Sequence, residues 1–247
     1  MLLSVSKKII TGLFILITIF SSCKKSHPVV ATTTLTLNER NKAAYFTKVS
    51  AHSLVRIGCE GTSLTYGQNV PGVNPPINGA TQQRALYQYP SSMQVALQTY
   101  GINANVINRG FPGDRTTEGI ARWKDSTIAD VVIVEYGTND CFNFGGYSTG
   151  VLTIPAFTDS LSKIVKRRLN QGAWVIINSP PDLNPVDTAI NKYKTAIVKV
   201  AATFNLQVFD VQKSVIQSSA DYFDGVHLTA TAYQRWGNNI AIILEKP

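Results

Sequence analysis

Five short apolar runs mark the chain: Leu54 to Cys59, Ala104 to Asn108, Val131 to Tyr136, Trp174 to Asn178 and Gln207 to Val211. Most are rich in Val and Ile, and several are apolar on successive residues. This is the pattern of strands buried on both faces of a parallel sheet. Between the runs the period becomes helical. Ser91 to Tyr100 starts beside Pro90 and stops at Gly101, and Phe157 to Asn170 stops near Gly172. Ile190 to Phe204 sets Ile190, Tyr193, Ile197, Val200, Ala201 and Phe204 on one face, and Ala230 to Leu244 closes the chain. The alternation predicts an α/β fold in three α/β/α layers, with a five-stranded, mostly parallel sheet and right-handed crossovers.

The expected strand order is the flavodoxin-like 2-1-3-4-5. Gln68 to Tyr89 breaks the alternation with three prolines and two glycines. It is too long for a simple connector and reads as a functional, lid-like insertion. No internal repeat or second domain boundary is visible in the 247 residues, a length that suits one full-sized core.

The first fifty residues read differently. Lys7 and Lys8 precede the apolar run Ile9 to Phe20, and Ser21, Ser22 and Cys23 follow it. A basic start, a short apolar stretch and small residues form an export signal. Twelve residues are too few to cross ~30 Å of hydrocarbon as a helix. Phe20-Ser21-Ser22-Cys23 resembles a bacterial lipoprotein signal, which implies lipidation of Cys23; a plain secretory signal is the alternative. The expected organisation is a signal over 1–22, a tether and N-terminal extension over 23–50, and the main folded domain over 51–247. Within the extension, Thr32 to Leu37 is β-prone and Asn38 is placed to cap a short helix. The protein is therefore expected outside the cytoplasm, held to a membrane and facing periplasm or cell surface.

The formal charge of +8 falls to +6 once Lys7 and Lys8 are removed with the signal. No basic stripe with interleaved aromatics accompanies it, so nucleic acid is not an expected partner. Anionic glycans or lipid headgroups fit weak long-range attraction better. No His, Cys and Asp cluster has metal-ligand spacing, and no cofactor is implied. Cys59 and Cys141 end neighbouring candidate strands and read as buried free thiols, with a disulfide as the alternative in an oxidising compartment.

A parallel sheet presents its chemistry at the carboxyl ends of its strands. The first strand there runs into Gly61-Thr62-Ser63-Leu64, and the second ends in Asn108-Arg109-Gly110-Phe111-Pro112-Gly113-Asp114. The third ends in Gly137-Thr138-Asn139-Asp140, and Asp224-Gly225-Val226-His227 lies near the C-terminus. Any one of these blocks occurs by chance. Four in order, each after the right element, resemble the SGNH (GDSL-like) hydrolases over about Val55 to Leu244.

That resemblance implies a serine esterase in which Ser63 is the nucleophile and Asp224 and His227 complete the triad. It also implies an oxyanion hole made by the N–H groups of Ser63 and Gly113 and the amide of Asn139. Residue chemistry supports the same roles. A hydroxyl needs an adjacent base, and of the three histidines His27 lies in the tether and His52 precedes the first strand. Asp224 is close enough in sequence to hold the His227 ring in its tautomer. Gly113 lets its backbone approach closely, and Asn139 is a neutral donor. Asp114 and Asp140 read as loop braces. One departure stands out: the family's Asp before the nucleophile is Thr62 here. That Asp is not a triad member, so the chemistry should survive, but the hydrogen bonding of the nucleophile turn is in question.

Tyr66, Phe111, Phe142 and Phe144 are the expected substrate contacts, with Tyr136 a further candidate and glycines flanking Phe144. Aromatic faces suit sugar rings and acyl or aryl groups alike. Small acyl esters, foremost carbohydrate O-acetyl groups, are the expected substrates. Lipase-like, lysophospholipase or thioesterase activity is the enzymatic alternative, and a non-catalytic glycan-binding lipoprotein the alternative of another class. If Cys23 carries the anchor, Cys23→Ser will move the protein from the membrane to the soluble fraction and block signal cleavage before residue 23. Unchanged partitioning on fractionation and immunoblotting would make Cys23 incidental.

Overall fold

The computed structural model describes residues 34–69 and 72–247. The export signal and Cys23 lie outside the described residues. From Leu35 onward the chain forms one compact unit. In chain order it comprises α1 (Leu37–Ser50), β1 (Val55–Gly61), α2 (Ser63–Tyr66), α3 (Tyr89–Thr99), β2 (Ala104–Gly110) and α4 (Thr116–Arg122). There follow β3 (Val131–Glu135), α5 (Thr138–Phe142), α6 (Ile154–Asn170), β4 (Trp174–Ser179) and α7 (Ile190–Phe204). The chain ends with β5 (Gln207–Asp210), α8 (Val211–Val215) and α9 (Ala230–Glu245).

The five strands form one sheet in the order β2-β1-β3-β4-β5. Every neighbouring pair is parallel. Successive residues of each strand feed opposite cores. Ile57, Cys59, Val131, Ile133, Trp174 and Ile176 pack with α3 and α9 on one face. Val132, Val134, Val175 and Ile177 pack with α6 and α7 on the other. Burial on both faces explains why these strands read as continuous rather than alternating apolar runs. Cys59 and Cys141 are free and buried, one in each core, so the sheet separates them. Burial pushes their thiols up to about 12 and about 11.

The N-terminal stretch departs from the expected extension. Leu37 begins a helix rather than ending a β-prone run. Thr36, not Asn38, caps it: its hydroxyl accepts from Glu39 N, and Glu39 Oε2 accepts in turn from Thr36 N. This reciprocal pair satisfies two of the unpaired donors at a helix start. Asn38 lies inside the helix, where its Oδ1 accepts from Val175 N at 2.8 Å and its Nδ2 donates to Asn205 O. Tyr45 is buried and donates to Leu244 O. Residues 37–50 thus pack into the core.

The helix α6 starts three residues before Phe157, because Thr153 caps it and Pro155 fits a first turn that needs no N–H there. The strands β1 and β2 run past Cys59 and Asn108 into charged residues. Buried charge is tolerated because it is paired. Glu60 takes Arg109 Nη1 at 3.0 Å and Arg168 Nη2 at 2.8 Å, with all three side chains at most 5% exposed. The two guanidiniums also donate to Thr127 O and Trp123 O, which ties the segment before β3 to α6 and the sheet. Glu60→Ala would leave two buried cations unpaired and lower stability by ~3–5 kcal/mol. Lys163→Ala, which removes an exposed pair with Asp159, should cost below ~1 kcal/mol. Urea unfolding midpoints of the two variants check the contrast.

Candidate active site

The site grows from the carboxyl edge of the sheet. One rung runs Gly110, Gly61, Glu135, Asn178 across β2, β1, β3 and β4. The segments carrying Ser63, Gly113 and Asn139 all leave this rung on the same side. Here the chain also switches from building outward through β2 to building the other way through β3. Such a switch opens a crevice at the strand ends.

Ser63 opens α2, where the first backbone N–H groups have no intrahelical partner. Thr62 caps this short helix by accepting from Leu64 N. Gly113 follows β2 with φ +83°, a conformation that favours glycine and turns the backbone toward the cavity. Asn139 lies in the first turn of α5, and its Nδ2 donates to Asp114 O at 2.9 Å. Its orientation is therefore fixed. Asp140 braces the same turn, accepting from Thr116 N and Oγ1 and from Gly137 N. Burial pushes its carboxyl up to about 6 despite these bonds. Asp114 pairs with Arg122 through both oxygens, at 2.7 and 3.0 Å.

The loop before α9 supplies His227. Thr229 caps α9, Leu228 is fully buried, and Asn69 Nδ2 donates to Leu228 O. Phe223 N donates to His227 O and Thr229 N to Asp221 O. These bonds carry His227 across 164 residues of sequence to Ser63, with Nε2 at 2.9 Å from Ser63 Oγ. Its Nδ1 lies 2.7 Å from Asp224 Oδ2. An ionised carboxylate only accepts, so Nδ1 carries the proton and Nε2 is left to accept from the serine hydroxyl. Partial burial pushes the Asp224 carboxyl up, but bonds from the His227 ring and from the His227 and Val226 N–H groups outweigh it. The carboxyl stays well below the usual range. Asp224 therefore stays ionised beside the imidazole and holds its Nδ1–H in place.

A cavity of about 430 Å³ opens beside Ser63 Oγ. Ser63, Gly113, Asn139 and His227 line it together with Gln68, Gln82, Pro112, Phe144, Gly145 and Val226. The aromatic expectations divide. Phe144 lines the cavity with 53% of its surface exposed, and Phe142 stacks beneath it at 5.4 Å. Tyr66 is instead fully buried, donates to Gln82 O, and anchors the 68–88 segment. Phe111 is covered by the Arg122 guanidinium at 3.4 Å, so its neighbours Pro112 and Gly113 reach the cavity instead. Tyr136 is buried against Gly119, on the far side of the sheet. Within the segment read as lid-like, Arg84 pairs its backbone with Asn74, and Asn78 Nδ2 donates to Asn108 O and Gly110 O. The segment's polar contributions, Gln68 and Gln82, gave no sequence signal. His52 lies exposed with φ 50°, in the turn before β1. Among the described residues no group of three or more His, Cys, Asp or Glu side chains is placed to hold a metal ion.

Comparison with known proteins agrees with this architecture. The profile of the GDSL-like Lipase/Acylhydrolase family matches residues 59–235. An arylesterase of Vibrio mimicus is 28% identical over 136 residues, covering 53% of this chain. The match spans 64% of that relative, a little under two thirds of its length. The fold is similar to that of a lipase/acylhydrolase from Enterococcus faecalis, with a TM-score of 0.62 at 21% identity over 77% of this chain and 95% of that one. It is also similar to a carbohydrate acetylesterase from Sinorhizobium meliloti, with a TM-score of 0.58 at 19% identity over 77% and 98%.

Proposed function

Since the chain belongs to the GDSL-like Lipase/Acylhydrolase family, we propose that it is a serine-dependent hydrolase of small acyl esters, foremost carbohydrate O-acetyl groups. The observation that carries this reading is the chain of contacts from Ser63 Oγ through His227 to Asp224, at 2.9 and 2.7 Å, facing a cavity shared with Gly113 and Asn139. Ser63 Oγ attacks the ester carbonyl carbon while its proton passes to His227 Nε2. The tetrahedral oxyanion is stabilised by the Ser63 and Gly113 N–H groups and the Asn139 amide, each contributing ~3 kcal/mol. His227 then protonates the departing alcohol oxygen. Water attacks the acyl-serine, gives its proton to His227, and Ser63 leaves with that proton restored.

The cavity walls bear on the substrate. Gln68, Gln82 and the backbone at Gly113 and Gly145 set polar groups around the nucleophile, and Phe144 offers one half-exposed ring. This mixture suits a short acyl group on a polar, ring-shaped alcohol better than a long alkyl chain, which needs a continuous apolar channel. An aryl alcohol is the second reading, favoured by the same Phe144 ring and by the likeness to an arylesterase. We place the mature protein outside the cytoplasm on a lipid at Cys23, the support being the pattern of residues 7–23.

Hydrolysis of p-nitrophenyl acetate, butyrate and octanoate and of acetylated xylan ranks these substrates, with acetyl esters expected fastest. Ser63→Ala should lower kcat at least ~hundredfold with the fold intact; retention of more than about a hundredth of the rate overturns the mechanism. Asn139→Ala should cost about a hundredfold in kcat with little change in KM, because an oxyanion donor acts in the transition state. Phe144→Ala should raise KM and leave kcat nearly unchanged, since the ring meets ground and transition states alike. Steady-state kinetics on one soluble acetyl ester separate the two.

A further inference from the structure

Glu135 is a carboxyl at the end of a strand that is otherwise wholly apolar, and it is completely buried. Its Oε2 accepts three hydrogen bonds, from Thr62 N at 3.1 Å, Thr62 Oγ1 at 2.8 Å and Thr65 Oγ1 at 3.1 Å. Thr62 and Thr65 bracket Ser63. The same oxygen presses on β1, since a Cβ on Gly61 would lie 2.8 Å from it and 2.2 Å from Thr65 Oγ1. Among the described residues no lysine or arginine forms an ion pair with Glu135. Tyr89 from α3 and Tyr233 from α9 also bear on it, and burial raises both phenols, so they stay uncharged.

A buried carboxyl held by neutral donors alone is costly. Val131 and Ile133 fill the same face of β3 without that cost. We infer that Glu135 is a positioning residue for the nucleophile, holding through Thr62 and Thr65 the turn that presents Ser63 Oγ to His227 Nε2. The inference rests on Ser63 being the nucleophile. The acceptor that matters is a single oxygen, so an amide oxygen in its place does the same work. A misplacement of ~1 Å at a reacting atom costs about a hundredfold in rate.

Four variants test this on one acetyl ester. Glu135→Gln should keep kcat within about threefold of wild type. Glu135→Leu should lower kcat by about thirtyfold or more with KM within about twofold. Thr65→Val, which removes one donor and keeps the side-chain shape, should lower kcat by about threefold to tenfold, and it decides the matter where Glu135→Leu does not fold. Thermal unfolding supplies the second readout. Burial pushes Glu135 up to about 7 from 4.5 against the Thr62 and Thr65 bonds. The folded protein therefore binds the extra proton, and this stabilisation is full below pH 4.5 and lost as pH rises through about 7. Glu135→Gln should remove that slope. Unchanged kcat in folded Glu135→Leu, or in Thr65→Val when Glu135→Leu does not fold, overturns the positioning role while Ser63→Ala remains inactive. An active Ser63→Ala overturns the functional reading itself.

Discussion

Parallel register at the carboxyl edge of the sheet is the constraint on which the site depends. Gly61 is paired at once with Gly110 on β2 and Glu135 on β3, and the segments carrying Ser63, Gly113 and Asn139 leave from this rung. A shift of one residue in either pairing would turn the alternate side chains to the opposite core. It would also separate Ser63 from the groups around it. The two apolar cores therefore fix the register, and the register fixes the distances at the site. Stability and chemistry meet at this edge, where β1 ends in a glycine and β3 in a buried acid.

His227, with Asp224 beside it, is not delivered by the sheet. It comes from the opposite end of the sequence, and its position depends on α9 packing against α3. Trp236 stacks on Tyr89 at 4.4 Å, and Leu228 is anchored by Asn69. The order of α3 and α9 is thus expressed in the His227 to Ser63 distance. Asp224 and His227 are three residues apart in one loop, so their mutual geometry is local. Their geometry toward Ser63 is wholly tertiary.

Much of this architecture was legible in the sequence. The five apolar runs and the helical face of Ile190 to Phe204 located the sheet and its cover, because burial on both faces leaves a continuous apolar signal. The fold class followed from that alternation, while the strand order 2-1-3-4-5 was an expectation that alternation alone does not fix. What was missed has physical causes. The ends of β1 and β2 carry Glu60 and Arg109, whose charges mimic a loop until their mutual pairing is known. Thr36 displaced Asn38 as the helix cap because Asn38 serves a tertiary bond to β4. Tyr66 and Phe111 carried the composition of a pocket wall, yet one anchors a loop and the other lies beneath Arg122. Gln68 and Gln82 reach the cavity from an irregular segment that has no period to read. Glu135 did have a signal, an acid inside an apolar strand, and its meaning came only with Thr62 and Thr65 beside it.

The central claim is that Ser63 Oγ is the attacking atom and that an oxyanion forms between Ser63 N, Gly113 N and the Asn139 amide. A crystal structure of the protein inactivated by a serine-directed p-nitrophenyl phosphonate tests it most directly, because the phosphonyl group mimics the tetrahedral intermediate. The account predicts phosphorus bonded to Ser63 Oγ, with the phosphonyl oxygen within about 3 Å of all three donors. A phosphonate bonded to another residue, or one on Ser63 whose oxygen points away from Gly113 and Asn139, would contradict it.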